Sequence, residues 1–559
     1  MTDSPATPES PSTPDAPSTP EPAVEPAPRP YAYGKHQGAP PRPGQAEQDP
    51  ELYREQWKQY REQWQQWQPQ RGEPPAWMTE VRPEPPARIR TATLWAVLAT
   101  ALLSSLLLRD GLGLNLLFVA VPAALAAFFA AQAAGRRPRP WTLVWAVGGL
   151  ALLTVPALRD AGLPTFLAVV SAVALGALAL GGSRTWPGVL FGPPAMFGAI
   201  GPGTVWALSG LRERAGGTRG HVVPVLRAVA VAAVLLIVFG ALFASADAAF
   251  AGLLDSLTPE VSVSGGPWQV LLFALGLFGA LAAAHTAASP LRWDRVTVRP
   301  GRARGRTEWA LPLIVLNLLF AVFIAVQLVV LLGGYDKVLE ETGLTPAQYA
   351  RQGFWQLLWV TVLVLVVIVV AGRWAPRDGA RDSALVRAVL GALCVLTLVV
   401  VAAALRRMDL YVDAFGLTRL RVTVAATELW LGLVIVLMLV AGATRGRWLP
   451  RAVAASVGAG VLAFGLVSPD ALVAERNVQR YEDTEKIDTE YFRELSADAV
   501  PALDRLPEPL RSCALRGIAF DLGGEDKPWY ATSLAESRAR DLLAKRGVRS
   551  DVSCPGVYR

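Results

Sequence analysis

The chain has 559 residues, 52% of them hydrophobic, and its mean hydropathy is +0.34, which is too apolar for an ordinary soluble protein with polar ends. The net charge of +7 comes from the middle, because residues 87–467 carry 31 Lys and Arg against 16 Asp and Glu, whereas both ends carry more acidic than basic residues. This pattern predicts positive loops beside anionic lipid and disfavours a nucleic-acid-binding surface.

The first 50 residues contain 14 prolines among Ser, Thr, Ala and Glu. Such a segment cannot bury enough apolar surface to offset the entropy of ordering the chain. We therefore predict a disordered cytoplasmic tail over residues 1–50.

Residues 51–90 are predicted to form an amphipathic helix and a linker. The pentapeptide Tyr-Arg-Glu-Gln-Trp occurs twice, seven residues apart, so a helix would align five aromatic side chains on one face: Tyr53, Trp57, Tyr60, Trp64 and Trp67. This stripe suits either a helix lying on the membrane surface or a seam for a partner helix. A duplicated linker that never folds is the third possibility.

The middle of the chain is predicted to be a bundle of membrane-spanning helices. About eleven apolar segments approach the roughly 20 residues that a helix needs to cross a bilayer. The fold class is therefore all-α: a polytopic helical membrane protein over residues 91–467, with a small helical soluble domain over residues 468–559. The predicted spans are Thr93–Leu108, Leu112–Ala134, Trp141–Leu158, Leu163–Leu180, Pro224–Ala246, Trp268–Ala288, Trp309–Leu332, Phe354–Ala371, Leu385–Leu405, Val424–Ala443 and Pro450–Val467.

The arginines predict the orientation, because basic loops are retained on the cytoplasmic side during insertion. A cytoplasmic N-terminus would place 23 Lys and Arg in inner loops and 8 in outer loops. Eleven spans would then put the C-terminal tail outside. Arg greatly outnumbers Lys and Ala is abundant, which is typical of GC-rich bacterial genomes, so we expect a bacterial inner membrane.

The segment Trp186–Leu208 is apolar but contains four prolines and five glycines. These residues interrupt a helix repeatedly. Counting it as a span would also move the arginines of residues 292–306 outside. We predict a re-entrant or interfacial segment.

The loop Arg406–Arg421 breaks the charge pattern, because it holds half of the basic residues assigned to outer loops. As a short helix it would place Arg406, Asp409 and Asp413 on one face and Met408, Tyr411, Val412 and Phe415 on the other. Gly416 is expected to end it and Thr418 to cap the next helix. The arginines that follow need anions, for which Asp409, Asp413 and Glu428 are the nearest candidates.

A polar cluster is therefore predicted on the outer face. Either it is a structural ion-pair cluster, or it is an anion-attracting vestibule for a headgroup, an envelope precursor or a solute. Its candidate members are Asp247, Gln327, Arg351, Arg406, Arg407, Asp409, Asp413, Arg419, Arg421 and Glu428.

The tail after Ser468 has the pattern of short helices, with Thr484, Ser496 and Ser533 as candidate N-caps. It also contains Cys513 and Cys554. An exported tail can form disulfides, so we predict a bridge between these two cysteines.

The sequence carries no motif for catalysis, a cofactor or a metal. The three histidines are far apart, and no phosphate-binding glycine loop or nucleophile elbow is present. We therefore expect no cofactor, metal or nucleic-acid partner and lean against an enzyme.

Five stretches resemble a bacterial family of multi-pass membrane proteins known through a domain of unknown function, of the 4173 or 4153 type. They are Phe243–Phe250, Ala350–Gln356, Arg407–Arg421, Pro469–Asn477 and Leu495–Leu503. The resemblance implies a polytopic architecture and supplies no catalytic residues. The expected role is envelope-associated sensing, assembly or scaffolding; the alternative is transport, or binding of a lipid or solute at the outer cluster.

Overall fold

The computed structural model describes residues 50–67, 80–214, 266–296, 305–329, 354–375, 379–444, 446–524 and 527–554. These residues form helices and no strand. Residues 1–74 and residues 75–559 are separate compact units. In the first unit, helix α1 spans Pro50–Trp67. Residues 1–49 and the predicted span Pro224–Ala246 lie outside the described residues.

Nine helical segments in the described ranges are long and apolar enough to cross a membrane, with the two consecutive helices of Pro140–Leu158 counted as one, which agrees with the prediction of about eleven spans. Thr91–Leu107 is a shorter apolar helix that precedes them. The membrane helices and the helices between them are α2 (Thr91–Leu107), α3 (Asn115–Ala133), α4 (Pro140–Leu152), α5 (Val155–Leu158), α6 (Gly162–Gly181), α7 (Trp186–Gly198), α8 (Ile200–Arg214), α9 (Gly266–Ala288), α10 (Arg306–Val329), α11 (Phe354–Trp374), α12 (Ala380–Phe415), α13 (Arg419–Ala443) and α14 (Leu449–Val467).

The bundle is built as three helix groups, each around its own apolar core. The first core joins α2, α3, α8 and α9. The second joins α4, α5, α6 and α14. The third joins α10, α11, α12 and α13. Because the side chains around these cores are apolar on most faces, each group leaves large apolar residues exposed, as expected where lipid replaces water.

Successive helices run back and forth, so the loops fall on two sides. The C-terminal tail contacts residues 110–115, 159–160 and 417–419, and we call that side the tail side. On the opposite side, Arg136 donates hydrogen bonds to the carbonyls of Ala287 and Leu180, at the ends of α9 and α6. Arg451 donates to the Ser183 carbonyl there. Arg136 and Arg451, which belong to basic loops predicted to be cytoplasmic, thus lie away from the tail.

The segment Trp186–Leu208 forms two helices, α7 and most of α8, and its two ends lie on the opposite side. At its start, the backbone N–H of Thr185 donates to Asp294, just beyond the end of α9. Near its end, Trp206 donates to the carbonyl of Ala87, which precedes α2. Since both ends return to the same side, the segment does not cross the bundle, as predicted.

The tail forms a small helical unit with its own apolar core. Its helices are α15 (Pro469–Thr484), α16 (Thr489–Phe492), α17 (Val500–Leu503), α18 (Leu510–Leu522) and α19 (Leu534–Lys545). Leu417 and Val422 of the bundle pack against this core. Ser533 caps α19 with a reciprocal bond to Glu536, as expected. Thr484 was wrongly predicted as a cap: it ends α15, and Asp488 caps the next helix.

Candidate functional site: the junction between bundle and tail

The tail contacts one loop from each helix group. These loops are residues 108–114 between α2 and α3, residues 159–161 between α5 and α6, and residues 416–418 between α12 and α13. We call their contacts with the tail the junction. It joins residues that are between 51 and 420 positions apart in the chain, so these contacts decide whether the three groups and the tail act as one body.

The turn between α12 and α13 begins the junction. Gly416 ends α12 with a φ of +78°, a left-handed conformation that glycine adopts without strain. Thr418 caps α13 by accepting a hydrogen bond from the backbone N–H of Arg421. Both features are as predicted. The short helix predicted over residues 406–415 is instead the last part of α12, which has 36 residues and extends beyond the bilayer thickness.

Helix α15 of the tail clamps this turn. The Asn477 amide donates to the Leu417 carbonyl at 2.8 Å and accepts from the Leu417 N–H at 2.9 Å. Arg480 donates to the carbonyls of Asp413 and Ala414 at 3.2 and 2.9 Å. These carbonyls have no partner within α12 because the helix ends there, so Arg480 supplies the missing donors.

An ion pair fixes the start of α13 to the tail. Arg419 Nε and Nη2 each lie 2.6 Å from a carboxylate oxygen of Asp470, in a bidentate pair. The Asp470 side chain is only 5% exposed, and it also accepts from the Ser496 N–H at 2.8 Å. The Arg419 backbone N–H donates to the Tyr491 hydroxyl at 2.8 Å. Asp470 therefore depends on Arg419 to balance a buried charge.

A second set of carboxylates joins the tail to the loop of residues 159–161. Asp498 is buried, accepts from Arg159 Nη1 at 3.2 Å, and accepts from the Asp160 N–H at 2.8 Å. In return, the Asp160 carboxylate accepts from the Ala497 N–H at 3.1 Å. Burial raises the pKa of both Asp160 and Asp498 above the usual range, although the Arg159 guanidinium opposes the shift at Asp498.

We expect tail docking to strengthen on acidification from neutral pH. A carboxyl whose pKa is raised in the docked state takes up a proton on docking, so its contribution is complete below its ordinary pKa of about 4 and is lost as the pH rises through the raised value. The groups that act on Asp160 from the tail are Asp498, Glu536 and Lys527. Hydrogen exchange of the Ala497 amide, corrected for the intrinsic rate, should show protection increasing as the pH is lowered from 7 towards about 4.

Asp160→Asn is the control for this pH dependence, because its amide oxygen still accepts from Ala497 but does not titrate. The variant should have a flatter pH profile. Protection that instead decreases as the pH is lowered in the unmodified protein would contradict the expected sign.

The third contact holds the loop of residues 108–114. Asn115 shapes the loop, since its buried amide donates to the carbonyls of Leu107 and Gly111 and accepts from the Gly113 N–H. The backbone N–H of Asn115 donates to the Tyr530 carbonyl at 3.0 Å, and the Tyr530 hydroxyl donates to the Asp110 carboxylate at 3.2 Å. The tail thus reaches the first helix group as well.

A cleft of about 270 Å³ opens beside the ion pair, where α6, α13, α14 and α15 meet. Its wall is mostly apolar, and Arg419 and Asp470 are its charged members; the lining residues are Ala161, Gly162, Leu163, Pro164, Arg419, Thr423, Phe464, Pro469 and Asp470. Because Arg419 and Asp470 neutralise each other, the cleft offers little net charge to an anion.

The described members of the predicted outer cluster make separate contacts. Arg407 donates to Gln327 at 3.0 Å, across α12 and α10. Glu428 is fully buried, and its Oε1 lies 3.0 Å from the Thr361 hydroxyl. Arg406, Asp409 and Asp413 have exposed side chains. Asp247 and Arg351 lie outside the described residues.

The ion pairs predicted within the loop Arg406–Arg421 do not form among the described contacts. Arg419 binds Asp470, and Arg421 lies 4.1 Å from the centre of the Tyr411 ring and donates to the Gly416 carbonyl. The reason is that the tail folds back over the start of α13 and supplies Asp470. The predicted partners were anions close in sequence, and the actual partner is remote.

The structure joins Cys513 and Cys554 in a disulfide, with 5.6 Å between their Cα atoms, whereas Cys394 is a buried free thiol. The bridge closes the end of the tail over α18. Arg516 also donates to the Val552 carbonyl at 3.0 Å, which holds the same two segments together.

We expect Cys554→Ser to destabilise the tail by about 4 kcal/mol, because the unfolded chain regains the entropy of a loop of roughly 40 residues. Alkylation of the denatured unmodified protein without reductant, followed by mass analysis, should leave Cys513 and Cys554 unlabelled. Labelling of both residues would show that the bridge does not form.

Helix α1 contains the predicted aromatic stripe. The rings of Tyr53 and Trp57 meet edge to face with centroids 6.3 Å apart. The side chains of Tyr60, Trp64 and Trp67 lie outside the described residues, so the choice between membrane surface and partner helix stays a prediction.

Sequence reasoning missed the main partners in the junction: Asp160, Asp470, Asn477, Arg480 and Asp498. A signal for three of them was present, since Asp470, Asn477 and Asp498 fall within the stretches that carried the family resemblance. What the sequence lacked was a way to pair them with Leu417, Arg419 and Arg159, which are remote along the chain.

The apolar helices and their back-and-forth order define an integral, polytopic helical membrane protein. The family model described as "Domain of unknown function (DUF4153)" matches residues 146–506, and the chain belongs to this family. The match begins within α4 and ends in the tail, so it includes the contacts of α15 and of Asp498. Comparison with curated proteins and with solved structures gives no match. Within the described residues, no group of three His, Cys, Asp or Glu side chains could hold a metal.

Proposed function

We propose that this protein is an envelope-associated scaffold or sensor of the bacterial inner membrane, with its N-terminus in the cytoplasm and its tail on the extracytoplasmic face. The orientation is supported by the arginine distribution, because the described loops that contain Arg136 and Arg451 lie on the side opposite to the tail. A disulfide in the tail suits the same compartment.

The observation that carries a scaffolding role is that the tail binds one loop from each of the three helix groups. Asp470 holds the third group through Arg419, Asp498 holds the second through Arg159, and Tyr530 holds the first through Asp110. A tail fixed at three points presents a surface of constant shape to other envelope components. It also couples the three groups, so a signal received by the tail can reach each of them.

Transport, or binding of a lipid or solute, is the second candidate, and the cleft beside Arg419 favours it. Two polar contacts within the described spans support it less, because each joins neighbouring helices. Asn317 donates to the Val389 carbonyl at 3.0 Å, and Arg407 binds Gln327. Such pairs hold helices together without forming a path for a solute.

Complementation of a deletion strain separates the two candidates. Under envelope stress, scaffolding predicts that Arg419→Ala fails to restore growth while Glu428→Gln, which changes a buried polar group within a span, restores it. Both variants must be present in the membrane at the normal level, and Arg419→Lys should restore growth partly. Failure of Glu428→Gln together with full function of Arg419→Ala would overturn the scaffolding proposal in favour of transport.

A further inference from the structure

One tail segment is fastened directly beside the lipid-facing surface of the bundle. Tyr530 is held through both its carbonyl and its hydroxyl by the loop of residues 108–114 and the start of α3. A Cβ atom on Gly113 would lie 2.9 Å from the Tyr530 carbonyl oxygen, so the two backbones are in close contact. The position of the neighbouring Trp529 is therefore fixed relative to the start of α3.

Trp529 is 71% exposed although it is a large aromatic residue in a firmly held segment. Its ring packs edge to face on Phe118, with 6.2 Å between the ring centroids. Phe118 lies in the first turn of α3, a helix apolar and long enough to cross the membrane. An aromatic side chain in this place is adjacent to the end of a membrane span.

The exposed face of α3 continues from Phe118 along the helix, away from the tail side. Val121, Leu125 and Phe128 are 50%, 44% and 49% exposed, and they follow Phe118 at intervals of three and four residues. This spacing places all four on one face of the helix. Exposed apolar residues in a continuous stripe along a spanning helix face lipid, and Trp529 lies at the upper end of that stripe.

We propose that Trp529 inserts into the lipid headgroup layer and anchors the tail to the bilayer. Phe118 lies at the start of a spanning helix, so a ring packed against it lies near the headgroup region, which is roughly 5–7 Å thick on each side of the hydrocarbon core. Tryptophan favours this layer because its ring is apolar and its indole N–H can bind water or a headgroup. The partner of this surface is thus the membrane itself, in the leaflet on the tail side.

A spin label at position 529 tests this in the full-length protein reconstituted in phosphatidylcholine vesicles. Among the described residues the native cysteines give little background, since Cys394 is buried and the other two form a disulfide. Trp529→Cys carries the label, Val121→Cys is the lipid-facing control, and Asp483→Cys on an exposed part of α15 is the water-facing control. Collision with oxygen reports lipid, and collision with a soluble nickel chelate reports water.

The ratio of oxygen to nickel accessibility at position 529 should be several-fold higher than at position 483 and lower than at position 121. A ratio equal to that at position 483 would overturn the proposal, because the label would then be in bulk water. Low accessibility to both reagents would also overturn it, since a protein partner or a second copy of the chain would then cover the site.

As a second measurement, phosphatidylcholine brominated near the headgroup should quench a larger share of the fluorescence of the unmodified protein than of Trp529→Phe. Equal fractional quenching of the two proteins would contradict insertion. The native ring stays in place in this experiment, which therefore does not depend on the labelled variant.

Discussion

Replacing Arg419 with alanine should reduce the free energy of docking of the tail on the bundle by about 2–4 kcal/mol, because Asp470 would keep a buried negative charge without its partner. The pair is bidentate, but Arg419 is partly exposed to solvent. The expected loss of docking free energy is therefore smaller than for a fully buried pair. Hydrogen exchange should show this as faster exchange of the Ser496 amide, by roughly 30-fold to 700-fold, as local opening becomes easier.

The pair between Arg505 and Glu475 provides a matched control within the tail. Its arginine is about as exposed as Arg419, but Glu475 is 40% exposed where Asp470 is 5% exposed, so Arg505→Ala should cost less than about 1 kcal/mol. Arg419→Lys should fall between the two variants, because it keeps the charge and loses the bidentate geometry. If Arg419→Ala and Arg505→Ala had equal effects, the ion pair would not hold the tail.

Replacing Gly416 with alanine should reduce the free energy of tail docking by a similar amount, about 2–4 kcal/mol, through a different mechanism. The φ of +78° is unfavourable for alanine, and the added Cβ would crowd Asn477 Oδ1. The turn must therefore shift and break the two hydrogen bonds between Asn477 and Leu417. Exchange of the Leu417 amide reports this loss directly.

Gly442→Ala is the control for Gly416→Ala. Gly442 lies in α13, and a Cβ atom added there would have no neighbouring atom within 4 Å, so alanine should be neutral or slightly stabilising. Unchanged exchange at Leu417 in Gly416→Ala would show that the turn tolerates a side chain and that the clamp by α15 is weaker than the geometry indicates.

The membrane architecture could be predicted from the sequence because lipid imposes a simple rule: a span must be a long apolar helix with its polar backbone satisfied internally. The rule also identified Trp186–Leu208, whose prolines and glycines conflict with a span. Local turn chemistry identified Gly416 and Thr418 for a related reason, since both act through neighbouring residues.

The junction could not be predicted, because its pairs depend on how distant segments meet. Arg419 needed an anion, and the nearest candidates along the chain were Asp409, Asp413 and Glu428. The structure supplies Asp470, 51 positions away, and buries Glu428 beside Thr361 on another helix. Charge alone shows that a partner is required; only the fold determines which residue it is.

These contacts connect the tail to the proposed role. A tail attached to one loop would move independently of most of the bundle. Attachment to all three helix groups, with a further anchor proposed at Trp529, makes tail and bundle one body. Its docking would respond to pH through Asp160 and Asp498, which is a property expected of a sensor at the outer face.

The central claim is that the tail is docked on the extracytoplasmic side, opposite the arginine-rich loops, and cysteine labelling in intact cells tests it most directly. Asp483→Cys in the tail and Arg137→Cys in an opposite-side loop both replace exposed residues. A membrane-impermeant maleimide should label position 483 in intact cells and position 137 only after lysis. Labelling of position 137 in intact cells, with position 483 protected until lysis, would contradict the claim.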